Sequence, residues 1–186
     1  MSRLETTSTN PPLTIWTIGH STRSFDEFQK LLEANEIKCL VDVRSFPGSR
    51  RYPHFNREEL SISLDATGIR YEHVPELGGR RKPNADSVNT AWKNASFRAY
   101  ADHMESAEFK KGIEKLLELA HQQSVAIMCS EAVWWSCHRS LIADYLKSEG
   151  VEVLHILSEA KVQSHPYTSA ARIVEGKLSY RGLLPA

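Results

Sequence analysis

Between Cys129 and Arg139 the chain places two thiols, a carboxylate, an imidazole and a guanidinium within eleven residues (CSEAVWWSCHR). An apolar run, Val125-Ala126-Ile127-Met128, leads into Cys129. A short loop carries Glu131 and two tryptophans, and Cys137, His138 and Arg139 open a stretch of helical periodicity. Strand, loop and helix start in that order set a thiol beside a helix N-terminus, where backbone N–H groups attract an anion and lower a thiol's pKa. Cys129 is therefore the candidate nucleophile or redox thiol, expected to label faster than Cys39 through a depressed pKa. Cysteine phosphatases and rhodanese-like sulfurtransferases place a cysteine in such a loop. Here Arg139 follows ten residues later, too far for the tight loop of those enzymes, and Glu131 would repel a phosphate. The competing assignment for Cys129 is a small buried apolar residue at a strand end.

The other groups carry their own alternatives. His138 or His20 can move protons as a general base, or simply be hydrogen-bonded. Arg139 in a first helical turn opposes the local macrodipole and calls for an anionic ligand or a carboxylate partner, with Glu131 or Asp42 at hand. Glu131 is expected to orient an Arg or a His. Cys129, Cys137 and His138 can be read as ligands of a soft metal, but their spacing matches no short zinc pattern. The expectation is therefore no cofactor, with Cys137 a packing residue and Cys39 a core residue. Arg44, Arg50, Arg51 and Arg57, interleaved with Phe46, Tyr52, His54 and Phe55 in a segment without acidic residues, can grip phosphates and stack bases, or form a solvated loop.

Such groups need elements to position them. Leu13–Ile18 reads as a strand ending at Gly19-His20-Ser21. Ser24 with Glu27 forms a capping box ahead of a helix bearing Phe25, Phe28, Leu31 and Leu32. Cys39 to Val43 is a second apolar strand. Asn56 with Glu59 repeats the capping-box pattern, and Ile69–Val74 is a third strand. Residues 75–94 form a long irregular stretch containing Gly78-Gly79-Arg80-Arg81, which suggests a functional loop. Helices are predicted over about 97–104, 108–122 and 137–148, and strands over 125–128 and 151–157, with little periodicity in the tail. Alternating strands and helices imply an α/β class with a mostly parallel, five-stranded sheet flanked by helices, in which ligands bind beyond the strands' carboxyl ends. Gly19, His20 and Ser21, then Asp42 and Arg44, then Cys129 and Glu131 would converge there.

Composition bounds the partners. The 186 residues fit one domain over 13–186 behind a disordered, polar leader at 1–12. Lys+Arg and Asp+Glu each total 23, so bulk electrostatic capture of nucleic acid is disfavoured, although a local patch can exist. No apolar run reaches the roughly 18 residues of a membrane span. Three cysteines without a disulfide scaffold point to the cytoplasm.

Several unlinked motifs together resemble the domain-of-unknown-function 488 family of prokaryotic proteins. They are TIGHS at 17–21, DVRSFPGSRRYPHFN at 42–56, Tyr71-Glu72-His73, LGGRR at 77–81, FRAYADHM at 97–104 and MCSEAVWWSCHR at 128–139. The likeness runs from Thr14 to about Arg172. Ser130 departs from the alanine common in that family. The resemblance implies a compact Rossmann-like domain, and implies that Gly19, His20, Ser21, Asp42, Arg44, Pro47, Ser49, Gly78, Gly79, Cys129, Glu131, Cys137, His138 and Arg139 belong to the family pattern. It implies no activity beyond suggested links to nucleic-acid metabolism. The expectation is an enzyme-like domain whose pocket binds a small anion or nucleotide through Arg44 and Arg139, with Gly19, Ser21, Asp42, Gly78 and Gly79 around it. The alternatives are a nucleic-acid-binding module built on residues 44–57 and a metal-binding protein.

Overall fold

The computed structural model describes residues 12–182. The expected leader at 1–12 falls almost wholly outside them. In chain order the elements are β1 (Thr14–Gly19), α1 (Phe25–Ala34), β2 (Cys39–Asp42), α2 (Arg57–Asp65), β3 (Arg70–His73), α3 (Ala95–Met104), α4 (Ala107–Gln122), β4 (Val125–Cys129), α5 (Arg139–Ser148), β5 (Glu152–Ser158), β6 (Lys161–Ser164), β7 (Arg172–Val174) and β8 (Lys177–Ser179). The main sheet runs β3-β2-β4-β1-β5-β6, parallel except for β6.

The expected parallel α/β sheet is present, with one strand more than anticipated. β6 and the separate β7–β8 hairpin come from the tail, which lacks periodicity because these strands are short and mostly exposed. The hairpin turns on Glu175 and Gly176, both at positive φ, a two-residue geometry that matches strand twist.

Both faces of the sheet are covered, so its inner strands read as unbroken apolar runs with a hidden period of two. Cys39, Val41, Val125, Ile127 and Cys129 face α3, α4 and α5. Leu40, Ala126 and Met128 face Phe28 and Leu32 of α1 and Leu60 and Leu64 of α2. The Ser24–Glu27 capping box forms as expected. The one expected at Asn56 does not, because the Asn56 carboxamide oxygen accepts the Ser49 N–H at 2.5 Å and fixes the preceding loop instead. Among the described residues no helix is long and apolar enough to cross a membrane.

Strand β4 lies between β1 and β2. The chain leaves β1 and β2 toward α1 and α2 on one face, and leaves β4 toward α5 on the other. Crevices therefore open on either side of the carboxyl end of β4, the arrangement that makes a ligand site in open α/β sheets.

Candidate functional site

The loops beyond the three central strands are tied together by backbone hydrogen bonds. His20 N–H donates to the Cys129 carbonyl (3.0 Å), Ser21 N–H to that of Ser130 (2.9 Å) and Val43 N–H to that of Met128 (3.0 Å). Gly19 permits this closeness, since a Cβ there would lie 1.8 Å from the Glu131 carbonyl oxygen. Ser21 adopts φ 51°, a left-handed conformation uncommon for a serine and held by its bond to Ser130. A cleft of about 670 Å³ lies beyond these loops. Of the anticipated site residues, His20, Ser21, Arg44, Gly79, Cys129, Glu131, Cys137 and His138 line it.

His138 is the N-cap of α5, so the helix starts two residues later than its periodicity suggests. Its Nε2 lies 3.1 Å from the Val43 carbonyl, which can only accept, so Nε2 carries the proton and Nδ1 presents a lone pair. That lone pair faces Cys137 Sγ at 3.6 Å and Cys129 Sγ at 3.9 Å. The Gly79 backbone lies against the imidazole, where a Cβ would come within 2.5 Å of Nδ1. The three donor atoms lie within 4.8 Å of one another and could hold a metal ion.

The two thiols are inequivalent, and Cys129 lacks the depressed pKa expected of it. The hydrogen bond to Cys137, together with burial, pushes the Cys129 thiol up. Burial also pushes Cys137 up, but the bond from Cys129 and the charge of Arg139 outweigh it and leave Cys137 below the usual thiol range. Cys137, expected as a packing residue, is buried but also lines the cleft beside Cys129.

Arg139 does not reach the cleft. It is 1% exposed, and its Nε donates to Cys137 Sγ (3.4 Å), Nη1 to Thr17 Oγ1 (3.3 Å) and Nη2 to the Glu131 carbonyl (2.6 Å). The contact with Glu131 is through its backbone carbonyl, and, contrary to expectation, its carboxylate is exposed and does not pair with Arg139. Asp42 is likewise withdrawn. Fully buried, it pairs with Arg44 (Nη2 to Oδ2, 2.6 Å) and accepts from the Tyr71 hydroxyl (2.6 Å). Arg44 also bonds the Phe55 carbonyl and turns Nη1 toward His20 Nε2 at 3.3 Å.

That contact occupies the nitrogen His20 would need as a base. Its Nδ1 bonds the Ser21 carbonyl, and its ring stacks on Phe55 at 4.2 Å. Burial, then the Arg44 charge, lower its pKa to about 4. Gly78 lies off the cleft, where a Cβ would meet Ser45 Oγ at 2.6 Å.

The anticipated Arg-aromatic patch is divided. Arg44 and Phe55 are buried, His54 Nε2 meets the Arg23 carbonyl, and Arg50, Arg51, Arg57 and Phe46 stay exposed. Arg51 and Arg80 line the cleft, Arg51 above the Tyr52 ring and Arg80 5.6 Å from the centre of Phe46.

A second set of residues escaped sequence reasoning. Thr17 Oγ1 meets His155 Nδ1 (2.7 Å), His155 Nε2 meets His165 Nδ1 (2.9 Å), and His165 Nε2 meets Asp144 Oδ1 (2.9 Å). Asp144 also accepts from Thr168 N–H, the Thr168 hydroxyl and the Tyr180 hydroxyl. Since Asp144 only accepts and Arg139 only donates, every proton in this buried row points from Arg139 toward Asp144. Burial, then His165 and Arg139, bring His155 down to about 2, keeping it neutral. Trp134 stacks flat on His155 (4.4 Å, 6°), while Trp135 is exposed, so the adjacent tryptophans serve different surroundings.

No curated protein and no solved structure matches the chain. A family match covers β2, β4 and the loops that follow them, starting just after the loop that carries His20 and Ser21. Residues 24–146 match the family described as Domain of unknown function DUF488, and the chain belongs to that family.

Proposed function

We propose that this protein is a small enzyme acting on an anionic, phosphate-bearing ligand held in the cleft at the carboxyl edge of the sheet. The reacting end would lie at Cys129, Cys137 and His138. The observation that carries this reading is the charge and chemistry of the cleft wall. Three guanidinium groups, Arg44, Arg51 and Arg80, and one carboxylate, Glu131, line the cleft around a Cys-Cys-His cluster whose thiols are buried. Arg51 and Arg80 are the cations with freedom to follow a ligand, because Asp42 already holds Arg44. Phe46, 71% exposed beside Arg80, offers a face on which a flat ring can stack, which favours a nucleotide over a bare anion.

The alternative, a nucleic-acid module on residues 44–57, has less support because Arg44 and Phe55 are withdrawn into the interior. Calorimetric titration with ADP and with a short single-stranded oligonucleotide tests both. ADP is expected to bind, to weaken about tenfold or more in Arg51→Ala/Arg80→Ala, and to weaken further with salt. Binding of the oligonucleotide alone, or ADP binding undiminished in the double variant, would overturn the enzyme reading.

A further inference from the structure

We propose that Cys129, Cys137 and His138 bind a soft divalent cation of the zinc class, with the fourth coordination position open to the cleft. The inference names the device at the reacting end described above. It rests on that reading only for the use of the open position.

The geometry of the donors is the first support. A tetrahedral zinc with bonds of about 2.3 Å to sulfur and 2.0–2.1 Å to nitrogen sets sulfur–nitrogen edges near 3.6 Å and a sulfur–sulfur edge near 3.8 Å. The two sulfur–nitrogen distances are 3.6 and 3.9 Å, and all three donors lie within 4.8 Å of one another. The two sulfur–nitrogen edges therefore need shifts of no more than a few tenths of an ångström, and the sulfurs at most about 1 Å, to hold an ion. Two sulfurs and one imidazole, with no carboxylate in the set, select zinc-like ions over magnesium or calcium.

The surroundings of each donor are those a ligand needs. The Val43 carbonyl takes the Nε2 proton of His138 and leaves Nδ1 as the donor atom. Gly79 against the ring restricts its rotation. Arg139 Nε–H supports Cys137 Sγ as a thiolate. Two thiolates neutralise a dication, and the charge of Arg139 is answered separately by Asp144 at the end of the buried row.

The spacing that argues against zinc in the sequence also has a physical account. Short Cys-x2-Cys spacings serve ligands carried on one tight turn. Here Cys129 ends β4 and Cys137 lies two residues ahead of α5, so the loop between them can be long while the elements hold the donors close. Both thiols are buried (7% and 3% exposed), yet both line the cleft, as His138 does. Three sides of the site are protein and the fourth faces the cleft, the arrangement of a catalytic rather than a structural zinc.

The test is elemental analysis of the purified full chain, followed by Co²⁺ titration of chelator-treated protein. One equivalent of Co²⁺ should give a sulfur-to-cobalt charge-transfer band and the intense visible bands of a tetrahedral centre. Cys129→Ser and Cys137→Ser should each reduce the charge-transfer band and weaken binding at least about 100-fold. His138→Gln should keep sulfur bands but shift the visible ones. Arg51→Ala/Arg80→Ala should bind Co²⁺ as the native chain does, which separates failure of the metal site from failure of the anion cleft. Circular dichroism identifies any variant that has not folded, and in that case iodoacetamide labelling of the native chain decides. A chelator should then expose Cys129 and Cys137 while leaving Cys39 unlabelled. Octahedral, sulfur-free cobalt spectra, or labelling indifferent to chelator, would overturn the proposal. Inorganic phosphate should perturb the visible bands, and unchanged bands at saturating phosphate would refute the open position.

Discussion

Replacing Asp144 by Asn tests whether the buried row of hydrogen bonds acts as an extended ion pair with Arg139. Asp144 is fully buried and accepts four hydrogen bonds, two on each carboxylate oxygen. Asparagine keeps the shape and one acceptor oxygen, which can still serve His165 and the Thr168 N–H. Its amide group faces the hydroxyls of Thr168 and Tyr180, which must turn round to accept. Two charge-assisted bonds become ordinary ones at about 1 kcal/mol each. Arg139, itself 1% exposed, also loses its only fully buried counter-charge along the row. The expected destabilisation is about 3 kcal/mol, the lower end for breaking a buried pair. In a chain of this size that lowers the thermal midpoint by roughly 6–12 °C. Urea unfolding followed by circular dichroism measures it, with exposed Glu131→Gln as the reference substitution. A cycle with Arg139→Met measures transmission, since a linked pair should be non-additive by about 1 kcal/mol or more. A loss under about 1 kcal/mol, or strict additivity, would refute the reasoning.

Gly19→Ala forces a methyl into the Glu131 carbonyl and should cost about 3 kcal/mol in urea unfolding, whereas Gly48→Ala, with open space around it, should stay within about 0.5 kcal/mol. His20 and His155 are held neutral when folded, at about 4 and about 2, while the unfolded imidazoles protonate near their ordinary value. The unfolded chain then binds more protons below about pH 6.5, so stability falls as pH drops, by roughly 1–2 kcal/mol per histidine at about pH 5. His20→Asn should flatten that slope in pH-dependent unfolding, and an unchanged slope would contradict the assignment. Cys39, fully buried in β2 with its thiol pushed up to about 11 by burial, should be alkylated only at the rate of global unfolding.

What the sequence made legible was local chemistry and strand character. The Ser24–Glu27 box and the apolar runs of β2 and β4 announce their elements within a few residues, and their polar ends converge because parallel strands share one carboxyl edge. Partners set by distant packing were not legible. Glu131 could be named as a partner of Arg139 from its nearness, but that the contact is to its backbone carbonyl, and that the guanidinium turns inward to Thr17 on β1, follows only from the fold. His155, His165 and Asp144 sit in segments that look unrelated, and only the pairing of β5 with β6 brings the two imidazoles together. The double glycine at 78–79 signals a special loop, but that it makes room for Ser45 and His138 is a fact of tertiary packing.

The place of β4 bears on how the protein comes into being. Val125 pairs with Ile15 on one side and with Cys39 on the other, so β1 and β2 never pair directly and join one sheet only when a strand made about a hundred residues after β1 enters between them. β1 has only β4 and β5 for neighbours, both late in the chain, so an emerging N-terminal half can pair β2 with β3 but leaves β1 and the other edge of β2 open. Such high contact order slows folding and lengthens exposure to aggregation. It also means that the strand that joins β1 to β2 is the one that carries Cys129 to the carboxyl edge, so the loops around the cleft can converge only once β4 is in place.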